Sequence, residues 1–265
     1  MPAILDELRD ADGSGVRVAI VDSGVEADHA WVGGRLVESY GLTQADGGDY
    51  RVVEVEPRDV FGHGTAAAGQ VRRFAPAADL VSIRILGETL QSTSQSLLAA
   101  LRWLKTQKVH VVNLSLSTMR VRFALHIGHA VDDLYARGAA CVCARGYHRT
   151  GRAYPTSFAG TIGVAHKKLP AARLEFRPHD LVEFNAAGGG MEVAWRNGQT
   201  RVVEGSSYAC ALVTGLAARL LSVRPGLAPY EVKGCLKAYA LRQAEGWWDD
   251  WMQRVEQAPA IESQS

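Results

Sequence analysis

Runs of five to seven mainly apolar residues recur along the chain, and between them apolar positions return at helical spacing. Residues 16–21 begin as apolar/polar alternation and end fully apolar, as a strand does on entering a sheet covered on both faces. Residues 80–86, 109–114, 139–144 and 161–165 read as further strands. Helical patterns cover 93–105 and 124–137, the second stopped by Gly138. An Ala-rich helix opens at Gly62-His63-Gly64-Thr65. A mostly apolar one follows Gly205 and ends near Arg224-Pro225-Gly226, and a last one spans 229–242. Strands alternating with helices predict an α/β fold of three layers, αβα, around a mostly parallel central sheet.

No repeat, linker or composition break divides the chain, so a single domain is expected over 1–244. Residues 245–265 form a Trp-rich extension carrying Trp247, Trp248 and Trp251, three of the six tryptophans, and its end reads as disordered. The rings suit packing on the domain surface; a partner-binding patch is the alternative.

Composition narrows the function. With 29 basic and 28 acidic side chains the net charge is +1, which gives no reason to expect nucleic acid or an anionic membrane as partner. No apolar run approaches the ~20 residues of a membrane span, and the first ten residues have early acids and no apolar core of signal-peptide length. The cysteines, Cys141, Cys143, Cys210 and Cys235, are too sparse for a disulfide scaffold and lack metal-ligand spacing. They read as buried thiols in a reducing cytoplasm. No cofactor and no metal site is expected.

Three short segments carry chemistry. The first strand runs into Val21-Asp22-Ser23-Gly24, His63 stands at a helix start between Gly62 and Gly64, and Gly205-Ser206-Ser207-Tyr208-Ala209 opens the apolar helix. A hydroxyl in a first helical turn lies beside unpaired backbone N–H groups that can stabilise developing negative charge. A carboxylate, an imidazole and a hydroxyl at the ends of regular elements can act as orienter, base and nucleophile.

In this order, Asp then His then Ser, the motifs resemble the subtilisin-like serine peptidases, over about residues 15–241. The resemblance implies Ser207 as nucleophile, His63 as general base and acid, and Asp22 as the group that holds the imidazole. It also implies that Ser115-Leu116-Ser117, after the third strand, pairs with a peptide or protein substrate as an added strand. Asp59, four residues before His63, is expected to line the cleft. The chain departs from the family pattern at several places. Tyr147 stands where an oxyanion-binding Asn is usual and is the candidate donor there, with Arg145, His148 and Arg149 as alternatives. Ser117 replaces a glycine, Ala211 replaces a proline, and no calcium-binding insertion follows the His63 helix. Cys210 reads as packing.

The expected function is that of a serine endopeptidase in a dedicated processing role, with an activating or substrate-presenting protein among the expected partners because of the altered loop. The alternatives are a peptide transamidase or macrocyclase, for which Ala211 would leave room for an amine, and a catalytically impaired peptide-binding protein.

Overall fold

Alternate residues of the first strand face two different cores. Val18 and Ile20 pack into one, Ala19 and Val21 into the other, and all four are fully buried. A computed structural model describes residues 2–45, 47–146, 151–170 and 172–243. Its strands are Arg17–Asp22 (β1), Leu36–Gln44 (β2), Tyr50–Glu54 (β3), Asp79–Arg84 (β4), Val111–Leu114 (β5), Ala140–Ala144 (β6), Ile162–Lys167 (β7), Leu174–Phe176 (β8), Phe184–Ala187 (β9), Gly189–Trp195 (β10) and Gln199–Glu204 (β11). The helices are Pro2–Glu7 (α1), His63–Phe74 (α2), Ser94–Leu104 (α3), Ala124–Ala136 (α4), Ser206–Val223 (α5) and Pro229–Gln243 (α6).

Nine strands form one sheet in the order β3-β2-β4-β1-β5-β6-β7-β9-β8. Pairing is parallel from β2 through β9 and antiparallel only where β3 and β8 close the edges. On one face α1, α2, α5 and α6 bury Leu5, Leu8, Val71, Phe74, Leu216 and Leu236. On the other, α3 and α4 bury Leu97, Leu101, Leu104, Ile127, Val131 and Leu134. This is the three-layer αβα arrangement that the alternation of strands and helices predicts. Burial of both faces explains the nearly unbroken apolar runs of the inner strands.

The sheet order reverses at β1, which lies between β4 and β5. In open parallel sheets such a switch point leaves a crevice outside the carboxyl ends of the strands. Val21 pairs with Leu114, so Asp22 and Ser115 emerge side by side at that end.

Helix α5 is long and apolar enough to cross a membrane by length and composition, unlike the expectation that no apolar run approaches that length; 78% of the stretch is buried within the protein. It is the central core helix. Its one buried guanidinium, Arg219, donates to the carbonyls of Leu8 (3.1 Å), Phe74 (2.8 Å) and Arg9 (3.1 Å). Those bonds satisfy the charge in place of solvent and tie α1 to the end of α2.

β2, β3, β8 and β9, which lie toward the sheet edges, and the β10–β11 hairpin are not among the strands that the apolar pattern predicts. The hairpin turns through Arg196-Asn197-Gly198, a three-residue connection with Asn197 and Gly198 both at positive φ (61° and 66°), a conformation those two residue types favour. That dipeptide between two strand-like runs is the signal by which it could have been found. The Trp-rich extension lies outside the described residues.

Candidate active site

Asp22 ends β1 and is fully buried. Its Oδ1 accepts the Ser23 amide at 2.7 Å and lies 2.8 Å from Nδ1 of His63, the first residue of α2. With the carboxylate ionised, Nδ1 carries the proton and donates, which fixes the tautomer and leaves Nε2 as the basic nitrogen. Burial pulls the His63 pKa down. The Asp22 charge, its hydrogen bond and the Asp59 charge outweigh that pull and leave the imidazole above its ordinary value.

The start of α2 is built by Asp59, which does not line the cleft as expected. It is buried, and its Oδ1 accepts from the Ser23 hydroxyl (2.8 Å) and the amides of Phe61 (2.9 Å) and Gly62 (2.7 Å). Oδ2 accepts from both the amide and the hydroxyl of Thr65, each at 2.7 Å. Gly62, at the N-cap, has no side chain to satisfy the first-turn amides, and Asp59 supplies the acceptor from three residues upstream. Ser23 completes the link by accepting the Gly64 amide at 3.0 Å. The end of β1 and the start of α2, and with them Asp22 and His63, are therefore held by one buried carboxylate.

Glycine is needed here for close approach. At Gly62 (φ 115°) a Cβ would meet the Trp195 ring at 2.5 Å, and at Gly64 it would meet the Gly24 carbonyl oxygen at 2.0 Å. Trp195, on the hairpin, thus packs directly beneath the residue that precedes His63.

Ser207 is the second residue of α5, whose N-cap Gly205 offers no side-chain cap. Its hydroxyl donates to the Ser115 carbonyl at 3.3 Å, just beyond β5. The ring of the next residue, Tyr208, lies 5.5 Å from the His63 ring, which brings the start of α5 to the His63 side of the crevice. Ser206 accepts from the His166 amide at 3.3 Å and lies 3.3 Å from its Nδ1, while His166 Nε2 is 3.3 Å from Glu204.

A buried polar network lies below. Asn113 donates to the Ser115 hydroxyl at 2.9 Å, and its Oδ1 accepts from Thr214 (2.9 Å) and from the Cys210 thiol (3.4 Å). It locks the end of β5 to α5 under both Ser115 and Ser207. Asn113 is not among the site residues the motifs pick out: the sequence shows only a polar amide in an apolar strand, and its full burial and its partners come from the fold. Cys210 is packing, as expected: burial pushes its thiol far up, away from the reactive range.

Ser115, Leu116 and Ser117 follow β5 directly and are half-buried, and Thr118 pairs with Tyr154 through two 2.8 Å backbone bonds. Tyr147, the candidate oxyanion donor, lies outside the described residues, as do His148 and Arg149. Among the described residues, then, Asp22 and His63 are in direct contact and Ser207 is joined to Ser115.

Residues 13–253 match the subtilase family, Peptidase_S8. Subtilisin Savinase from Lederbergia lenta is 25% identical over 240 residues, covering 86% of this chain and 84% of that protein. M-protease from Shouchella clausii (strain KSM-K16) is also 25% identical over 240 residues, and the chain spans 60% of its length. Among solved structures, a cold-adapted subtilisin-like serine proteinase superposes with a TM-score of 0.70 at 22% identity, over 86% of this chain and 83% of that one. Sphericase gives 0.72 at 23% identity, with the same coverage. At that identity the structural likeness is one of fold. The family match, which takes in Asp22, His63 and Ser207, shows that the chain belongs to the subtilase family of serine peptidases.

Proposed function

We propose that the chain is a serine endopeptidase that cleaves peptide bonds through an acyl-enzyme on Ser207. The observation that carries this reading is the buried 2.8 Å contact between Asp22 and His63 Nδ1, which commits one ring nitrogen and leaves Nε2 to act as base. Ser207 releases the Ser115 carbonyl, gives its proton to His63 and attacks the substrate carbonyl. His63 then returns the proton to the leaving amine, and a water repeats the sequence to free the acid. Asp22 stabilises the imidazolium at each stage. Backbone amides in the uncapped first turn of α5 face the developing oxyanion, with Tyr147 as the proposed second donor. The peptide lies along Ser115, Leu116 and Ser117 as an added strand.

We place this activity in a dedicated processing role on a peptide or protein substrate, with an activating or substrate-presenting protein as partner. Four free, buried cysteines fit a reducing cytoplasm. The transamidase reading draws no support from Ala211, which is fully buried in the main core and adds no space at the cleft. Mass analysis of products from a peptide panel tests the reaction. Hydrolysis gives fragment pairs that sum to the substrate plus one water. A cyclic product, with fragments that sum to the substrate alone, would replace hydrolysis by transamidation.

A further inference from the structure

A cavity of about 330 Å³ is lined by Val60, Phe61, Glu88, Trp195, Arg196 and Arg201, just before the start of α2. Its floor is aromatic. The Phe61 and Trp195 rings meet edge to face at 5.7 Å, and Trp195 is the ring packed against Gly62. Two cations border it. Arg201 lies over the Trp195 ring at 4.9 Å, and Arg196 donates to the Val60 carbonyl at 3.1 Å. Neither has a carboxylate partner among the described residues. A guanidinium held over an indole is restrained without spending its N–H donors, and Arg196 has spent one of five. Glu88 stands as the single negative charge on the lining, so the cationic wall exceeds it by one.

We infer that this cavity is a specificity subsite for an acidic side chain of the bound peptide, a Glu or Asp whose carboxylate meets Arg201 and Arg196 and whose methylenes lie on Phe61 and Trp195. The inference rests on the reading of the cleft as a peptide site. The Trp195–Gly62 contact couples occupancy of the subsite to the residue that precedes His63. Arg201 and Arg196 are specificity-determining residues and take no part in bond cleavage.

Binding and cleavage are measured separately, so that failure of this inference is distinguishable from failure of the peptidase reading. A fluorescein-labelled decapeptide of Gly, Ala and Ser carries a single Glu, Gln or Lys at each position in turn. Its affinity for the Ser207→Ala protein is read by anisotropy, and its kcat/KM with the unaltered protein by product mass. At one position Glu should bind roughly 5- to 10-fold tighter than Gln, the range of a hydrogen bond to a charged group that is partly open to solvent. Arg201→Gln should bring the Glu:Gln ratio to about one, Arg201→Lys should retain part of it, and Glu88→Gln should raise it. Equal affinity for Glu and Gln at every position, or a preference that survives Arg201→Gln with Arg196→Gln, overturns the inference. A Glu preference in binding without any cleavage upholds the subsite and removes unaided peptidase activity on these peptides.

Discussion

Asp22→Asn is expected to lower kcat by roughly 10⁴-fold while leaving peptide affinity nearly unchanged. The carboxylate is fully buried, 2.8 Å from Nδ1, and it accepts the Ser23 amide with the same oxygen. An amide in its place presents either an N–H to Nδ1, which inverts the tautomer, or a neutral carbonyl, which cannot stabilise the imidazolium. The pH dependence supplies a second readout. His63 must be neutral to act as base, so kcat/KM should rise with pH along a limb set by its pKa, which the Asp22 charge helps to hold above the ordinary histidine value. Burial acts in the opposite direction, and removing the charge lets it prevail. The residual activity of Asp22→Asn should therefore show its acidic limb moved to lower pH. A loss of activity with the limb unmoved would mean that Asp22 acts by another route.

Gly64→Ala should be a severely damaging conservative change outside the reacting groups. Helix propensity alone favours alanine over glycine in α2 by about 1 kcal/mol. The surroundings decide the other way: the new Cβ would stand 2.0 Å from the Gly24 carbonyl oxygen and 3.1 Å from the Asp22 Cβ. Relief requires α2 to move away from the end of β1, and that movement pulls against the Ser23 and Asp59 hydrogen bonds. A loss of about 3 kcal/mol in urea unfolding, with a fall in kcat beyond what the folded fraction accounts for, is the expected result. Unchanged stability would show that the two elements can separate without cost.

The inner strands were legible because burial on both faces removes polar residues from them, as in the run from Val18 to Val21. The edge strands were not. β3 has no buried residue, and β11 is mostly exposed, so neither forms an apolar block. The candidate site was legible where a motif fixes residue type and spacing, as at Asp22, His63 and Ser207. It was not legible where a role arises from folding. Asp59 became a buried helix-start acceptor only because β1 returns alongside α2. Asn113 joins β5 to α5 across about a hundred residues of chain. Trp195 reaches Gly62 from a hairpin whose Asn-Gly turn is a local signal, while that contact is not.

The central claim is that Ser207 is an activated nucleophile. Intact-protein mass after treatment with a fluorophosphonate, on the unaltered protein and on Ser207→Ala, tests it most directly. One adduct on the unaltered protein and none on Ser207→Ala is the predicted result. A folded, unlabelled protein would contradict the claim, and so would an adduct that persists in Ser207→Ala, which would move the reactive hydroxyl elsewhere, Ser206 beside His166 being the first to check.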